Sequence, residues 1–153
     1  MKRLKLKIPP PVVALLCGLL IWALSEVLPA YSRGEEIRHN IAYILLGMAI
    51  SIDLWALVSF ILAKTTIDPR YPHKTSAIVS TGIYSYTRNP MYLGLTLILS
   101  ALSIWLGAKF GLFAVAGFIL YMNNFQIIPE EEHLEKQFGD VYIRYKTSVR
   151  RWI

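Results

Sequence analysis

The chain has 153 residues, 55% of them apolar and only 17% charged, with a mean hydropathy of +0.45. A soluble domain runs at about 45–50% apolar and about 25% charged, so the composition excludes a disordered chain and argues for a small integral membrane protein rather than a soluble enzyme. Sixteen Lys and Arg against ten Asp and Glu leave a net charge of +6, and the placement of those charges decides whether nucleic acid or membrane explains it.

Four apolar segments set the expected architecture. They predict helices over about 12–30, 41–63, 90–106 and 110–128, each near the roughly 17–25 residues that a bilayer core demands. The first begins after Lys2, Arg3, Lys5 and Lys7 and resembles a signal peptide, but Pro29-Ala30-Tyr31-Ser32 makes a poor cleavage site, so it reads as a retained helix. The second holds one charge, Asp53; a carboxylate inside a span is a functional candidate by default, set against the blander reading of a neutral or locally bonded side chain. Only Gly107, Ala108 and Lys109 separate the third and fourth, which predicts a tight helical hairpin. The polar residues fall mainly in the connection 64–90 and in the tail 129–153, and a connection that long is more often functional than idle. The expected fold is therefore all-α: one domain over 1–153, an integral membrane bundle of four transmembrane helices with an amphipathic helical tail.

With four spans, thirteen of the sixteen basic residues share one side: the N-terminal segment, the second connection and the tail. By the positive-inside rule both termini and the second connection are expected to be cytoplasmic, and the net charge is explained by topology and anionic lipid, with no nucleic-acid partner. A lone cysteine, Cys17, and three scattered histidines, His39, His73 and His133, give no pattern for a disulfide or a metal site.

Two polar segments carry candidate chemistry. In 80–94, Asn89 and Pro90 suit the N-cap and first position of a helix. Arg88 beside that N-terminus opposes the helix dipole, so an anion nearby, or an interfacial phosphate, is expected. In 126–134, Pro129 marks a helix break or a new first turn, and Glu130, Glu131 and Glu132 follow it, where the dipole favours negative charge. Leu134, Phe138, Val141, Tyr142 and Tyr145 then give one apolar face, which Gly139 divides and Asp140 could cap. Asn123 and Asn124, near the end of the fourth segment, are placed to line a site at the same end.

The pattern Gly82-x-Tyr84-x-x-x-Arg88-Asn89-Pro90-x-Tyr92-x-Gly94 resembles a signature of the isoprenylcysteine carboxyl methyltransferase family, which comprises membrane enzymes dependent on S-adenosylmethionine. So does Glu130-Glu131-x-x-Leu134-x-x-x-Phe138-Gly139-x-x-Tyr142-x-x-Tyr145-x-x-x-Val149-x-Arg151. The resemblance covers 76–151, about half the chain; the first two helices share only their apolar character.

The resemblance implies an S-adenosylmethionine pocket at the cytoplasmic ends of the last two helices, roofed by the tail. It places Ser76, Ala77, Ile78, Val79, Tyr84, Asn89, Pro90, Met91 and Tyr92 against the cofactor, together with the acidic pair Glu130 and Glu131, of which Glu131 is the matching position. A carboxylate suits the cofactor's ammonium or ribose hydroxyls, and tyrosine faces suit its sulfonium. Arg88 is the candidate for positioning the acceptor or the cofactor carboxylate. The implied reaction is methyl transfer to a lipid-like or prenylated acceptor in the bilayer. The chain departs from the family in two places. Asn89 stands where many relatives have His, and Ile127-Ile128-Pro129 stands where prenylcysteine-methylating relatives carry an Arg. The second departure weighs against a prenylcysteine acceptor more than against methyl transfer. Phospholipid N-methylation, by a similar arginine–proline motif and acidic pair, is the second enzymatic reading; a non-enzymatic membrane adaptor is the third.

Overall fold

The computed structural model describes residues 6–29, 31, 34–63 and 78–153. Pro9 and Pro10 open the first helix, α1 (Pro10–Val27), where a missing N–H costs nothing. Glu35 and Glu36 open α2 (Glu35–Ala63), six residues earlier than the apolar run suggests, because acidic residues in a first turn complement the helix dipole. After a single 3-10 turn at Gly82–Ser85 come α3 (Pro90–Trp105), α4 (Gly111–Tyr121), a π-helical turn (Met122–Ile127), α5 (Ile128–Phe138) and α6 (Asp140–Ser148). All regular structure among the described residues is helical.

Pro10–Val27, Glu35–Ala63 and Gly111–Phe138 are long and apolar enough to cross a bilayer; α3 is equally apolar but has 16 residues. At 1.5 Å per residue it spans about 24 Å, short of a hydrocarbon core of about 30 Å. The outer surface carries Leu15, Trp22, Ile44, Leu62, Phe113 and Leu120, all exposed, as a lipid-facing bundle requires.

α3 is the hub. On one side it meets α1 and α4 around Ile21, Leu99, Phe118 and Met122; on the other it meets α2. Along α2 the buried residues are Ala42, Ala49, Ala56 and Ser59, small side chains that let the two helices approach closely. Gly107, at φ +63, turns the α3–α4 hairpin, and Ser103 Oγ donates to the Ala108 carbonyl across it at 3.2 Å. The first connection reaches this end, where the Tyr31 N–H donates to the Gly107 carbonyl at 2.9 Å.

At the opposite end gather the N-terminal segment, the end of the second connection and the tail. Pro129 does not break the fourth helix. It has no N–H and its ring crowds the preceding turn, so the helix widens to π geometry over Met122–Ile127. The carbonyl of Phe125, which an ordinary residue at 129 would pair, instead accepts from the Leu6 N–H at 3.0 Å. One residue on, the Gln126 side-chain amide donates to the Ile8 carbonyl at 2.6 Å. Pro129 thus opens α5 without ending the rod, and the first part of the expected tail is continuous with the fourth helix. Gly139, at φ +53, separates α5 from α6.

Candidate functional site

The chain's two glycines at 82 and 94 are both set by α2. A Cβ on Gly82, whose φ is +62, would lie 2.7 Å from Ser59 Oγ and 3.0 Å from Trp55 Nε1. A Cβ on Gly94 would lie 2.6 Å from the carboxyl carbon of Asp53. Neither position admits a side chain unless the α2 side chains that face it move. The second helix, which resembles the family only in being apolar, therefore supplies the surface on which the first motif rests.

Between these glycines, Tyr84 is buried, with its ring edge-on to Phe60 at 5.3 Å. Its phenol is pushed up, first by burial, then by Tyr145, Asp53 and Glu130 nearby. Val79 is buried beside Tyr84 and Ile83, with Ile78 half-buried; Met91 packs against the same cluster. Ser76 and Ala77 lie outside the described residues. Pro90, fully buried, begins α3, and Tyr92, in the same first turn, donates its hydroxyl to Glu130 Oε1 at 2.6 Å.

Asn89 occupies the N-cap position, but its side chain makes no cap. Its amide instead donates to the Arg151 carbonyl at 2.9 Å, and the buried Thr87 hydroxyl donates to the same carbonyl at 3.3 Å. The Arg88 N–H donates to the Arg150 carbonyl at 3.0 Å. The end of the tail thus runs along 87–89 and satisfies groups that capping would otherwise have used. Trp152 completes the clasp: its indole N–H donates to Asn123 Oδ1 at 3.1 Å. Asn124 turns back on its own helix, donating to the Leu120 carbonyl at 2.8 Å.

The anion expected beside Arg88 is Glu131. Its side chain is 7% exposed, with Oε1 3.2 Å from Arg88 Nη2. Arg151 grips it with two bonds, Nε to Oε1 at 3.1 Å and Nη2 to Oε2 at 2.7 Å. Lys146 stands 3.9 Å from Oε2 and pairs more closely with Glu135. The hydrogen-bonded carboxylate holds the Arg151 guanidinium further up its already high range. Tyr142, buried in the same cluster, is also raised, first by burial and then by Glu131. Glu131 is thus fully engaged by the chain's own cations, and its partner Glu130 faces inward to Tyr92.

Among the described residues, two charged side chains at this end keep buried atoms without hydrogen-bond partners. Arg88 has a side chain only 9% exposed, yet its Nε and Nη1 are buried and unpaired. Asp53 Oδ1 is buried and unpaired against Gly94. An orphaned buried donor or acceptor costs about 1–3 kcal/mol, so each calls for a ligand of opposite character. The sequence signals Arg88 through its clash with the helix dipole. It signals Asp53 only as a charge within a span, and gives no sign that Asp53 meets Gly94. Thr87 and Trp152 are missed, and Tyr145 is placed only on an apolar face and in a motif: their contacts depend on how the tail folds back, which no local pattern announces. Tyr145, for instance, donates its hydroxyl to the Tyr84 carbonyl at 2.8 Å.

The family model described as phospholipid methyltransferase matches residues 37–141, a stretch that includes both glycines, the arginine–proline motif and the acidic pair. This match is compatible with the motif resemblance noted above. A Haemophilus influenzae protein described as an uncharacterized protein is 54% identical over 63 residues, which is 41% of this chain and all of the relative. No solved structure matches the chain.

Proposed function

Because this chain belongs to the phospholipid methyltransferase family, we propose that it uses S-adenosylmethionine to methylate the amine of a lipid at the cytoplasmic face of a membrane. The family carries the coarser statement, a membrane methyltransferase acting on lipid-like substrates. The observation that carries the finer one is Arg88: a guanidinium buried beside the acidic pair, with its Nε and Nη1 unanswered. Those donors suit the carboxylate of the cofactor's amino-acid part. Glu130, oriented by the Tyr92 hydroxyl, keeps acceptor capacity for an ammonium or ribose hydroxyls. Tyr84, Pro90, Met91 and Tyr92 supply the apolar and aromatic wall, with Ile78 and Val79 behind it.

When bound, the cofactor would supply a methyl group on a sulfonium sulfur: the lone pair of the neutral amine would form the new C–N bond as the C–S bond breaks with its electron pair left on sulfur, and the amine's surplus proton would pass to water. The chain's part is to hold donor and acceptor in line and to keep water out. Asn89 cannot act as a base near neutral pH, and its amide is committed to the tail. Glu131 acts one step back: by pairing with Nη2 it fixes the plane of the Arg88 guanidinium and leaves Nε and Nη1 pointing elsewhere. A carboxylate acceptor fits less well. Arg151 is spent on Glu131, and 127–129 offers Ile-Ile-Pro with no cation.

The test is transfer of a labelled methyl group from S-adenosylmethionine by the purified protein, in vesicles that contain an aminophospholipid or a prenylated cysteine. Label in the aminophospholipid supports the proposal. Label in the prenylated cysteine alone replaces the amine with a carboxylate. Transfer to neither, with no cofactor binding, leaves the adaptor reading.

A further inference from the structure

The α2–α3 seam contains a carboxylate that the cofactor pocket described above does not use. α2 is 29 residues long and overshoots α3 at the site end. Asp53 lies ten residues before the end of α2, about 15 Å along its axis. Gly94 lies only four residues after Pro90, about 6 Å into α3. The contact between them therefore brings Asp53 to the level of the first turns of α3, near the entrance to the bundle rather than its centre.

Three observations converge on this carboxylate. Its Oδ1 is buried with no hydrogen-bond partner. The facing residue is a glycine, and any side chain there would occupy the space that the carboxyl fills. The buried Tyr84 phenol lies within the electrostatic reach of both Asp53 and Glu130, which links the seam to the cofactor side of the site. A carboxylate that served packing alone would be replaced by an apolar side chain at no loss, since burying an unpaired charge is costly. A cation of the right size, arriving from the lipid, offsets that cost.

We propose that Asp53 holds the amino head of the methyl acceptor in the seam between α2 and α3, pairing with its ammonium form as the lipid docks; the one proton that the nitrogen must shed before its lone pair can take the methyl group leaves to water at the entrance of the bundle. The inference rests on the methyl-transfer reading above and extends it to a residue outside both motifs. Asp53 is then a positioning residue for the acceptor and has no share in holding the cofactor. Neutral lipids and carboxylates gain nothing from it.

The experiment uses the full-length protein in lipid nanodiscs of graded aminophospholipid content, comparing wild type with Asp53→Asn and Asp53→Ser. Three quantities are read: the acceptor KM, kcat at saturating acceptor, and the affinity for S-adenosylhomocysteine. A lost charge-assisted contact should raise the acceptor KM roughly 10- to 100-fold, with S-adenosylhomocysteine affinity within about twofold of wild type. An unchanged acceptor KM in both variants overturns the proposal. So does an equal loss of S-adenosylhomocysteine affinity, which would put Asp53 in the cofactor pocket. A wild-type protein that binds S-adenosylhomocysteine but methylates only a carboxylate overturns the proposal and the amine reading while leaving the cofactor site standing. Failure to bind S-adenosylhomocysteine at all brings down the methyl-transfer reading itself.

Discussion

Two carboxylates at the same end of the bundle, one buried and one half-buried, have opposite surroundings. Glu131 on α5 is enclosed by Arg88, Arg151 and Lys146, and both its oxygens are bonded. Asp53 on α2 rests on the bare backbone of Gly94 with an oxygen left over. Both would count as unusual in a list of charges near a membrane, but the physics separates them. A charge satisfied by its own chain reports how the tail is fastened, and removing it breaks a structure. A charge left unsatisfied is a standing cost, and removing it relieves the fold while taking away whatever the charge was for.

The largest expected effect tests the first half of this contrast. Glu131→Gln should destabilise the protein by about 3–5 kcal/mol in detergent unfolding, because Arg88 is left buried without its counter-charge. A loss under about 1 kcal/mol would mean that the cluster is ornamental. Next comes the seam. Gly94→Ala should cost about 1–3 kcal/mol from overpacking against Asp53. Adding Asp53→Ala should recover most of it, a coupling that a double-mutant cycle measures; strict additivity would place the clash elsewhere. Arg151→Lys keeps the charge and loses the two-pronged grip. The side chain is about a third exposed, so the cost should be only about 1 kcal/mol. Smallest is Asp53→Asn, expected within about 0.5 kcal/mol of wild type or slightly stabilising. A loss comparable to that of Glu131→Gln would erase the distinction between the two carboxylates.

The all-helical membrane bundle was legible because apolar runs of membrane length leave little choice. The hairpin was legible from the brevity of 107–109. Helix ends were less so: α2 starts at Glu35 because dipole and cap chemistry, not hydropathy, decide where a helix begins. Pro129 signals a break or a new first turn, and the structure accommodates it by widening one turn and borrowing the Leu6 N–H. In the site, Arg88 announced an anion through local electrostatics alone. That the anion is Glu131, and that Asn89 turns away from its cap to the tail, follows from a long-range return of 149–152. The Asp53–Gly94 contact is likewise long-range. A glycine one turn inside a helix hints at a close approach, but the residue that approaches comes from a helix forty positions earlier.

If this end of the bundle holds S-adenosylmethionine as proposed, the buried and unpaired Nε and Nη1 of Arg88 anchor it. Calorimetric titration of the purified protein with S-adenosylhomocysteine, which keeps the amino-acid carboxylate and lacks the transferable methyl, tests it most directly. The account predicts saturable binding at a single site, weakened roughly 10- to 100-fold when the same ligand carries a methyl ester in place of the carboxylate. Absence of saturable heat, or equal affinity for the acid and its ester, would contradict it.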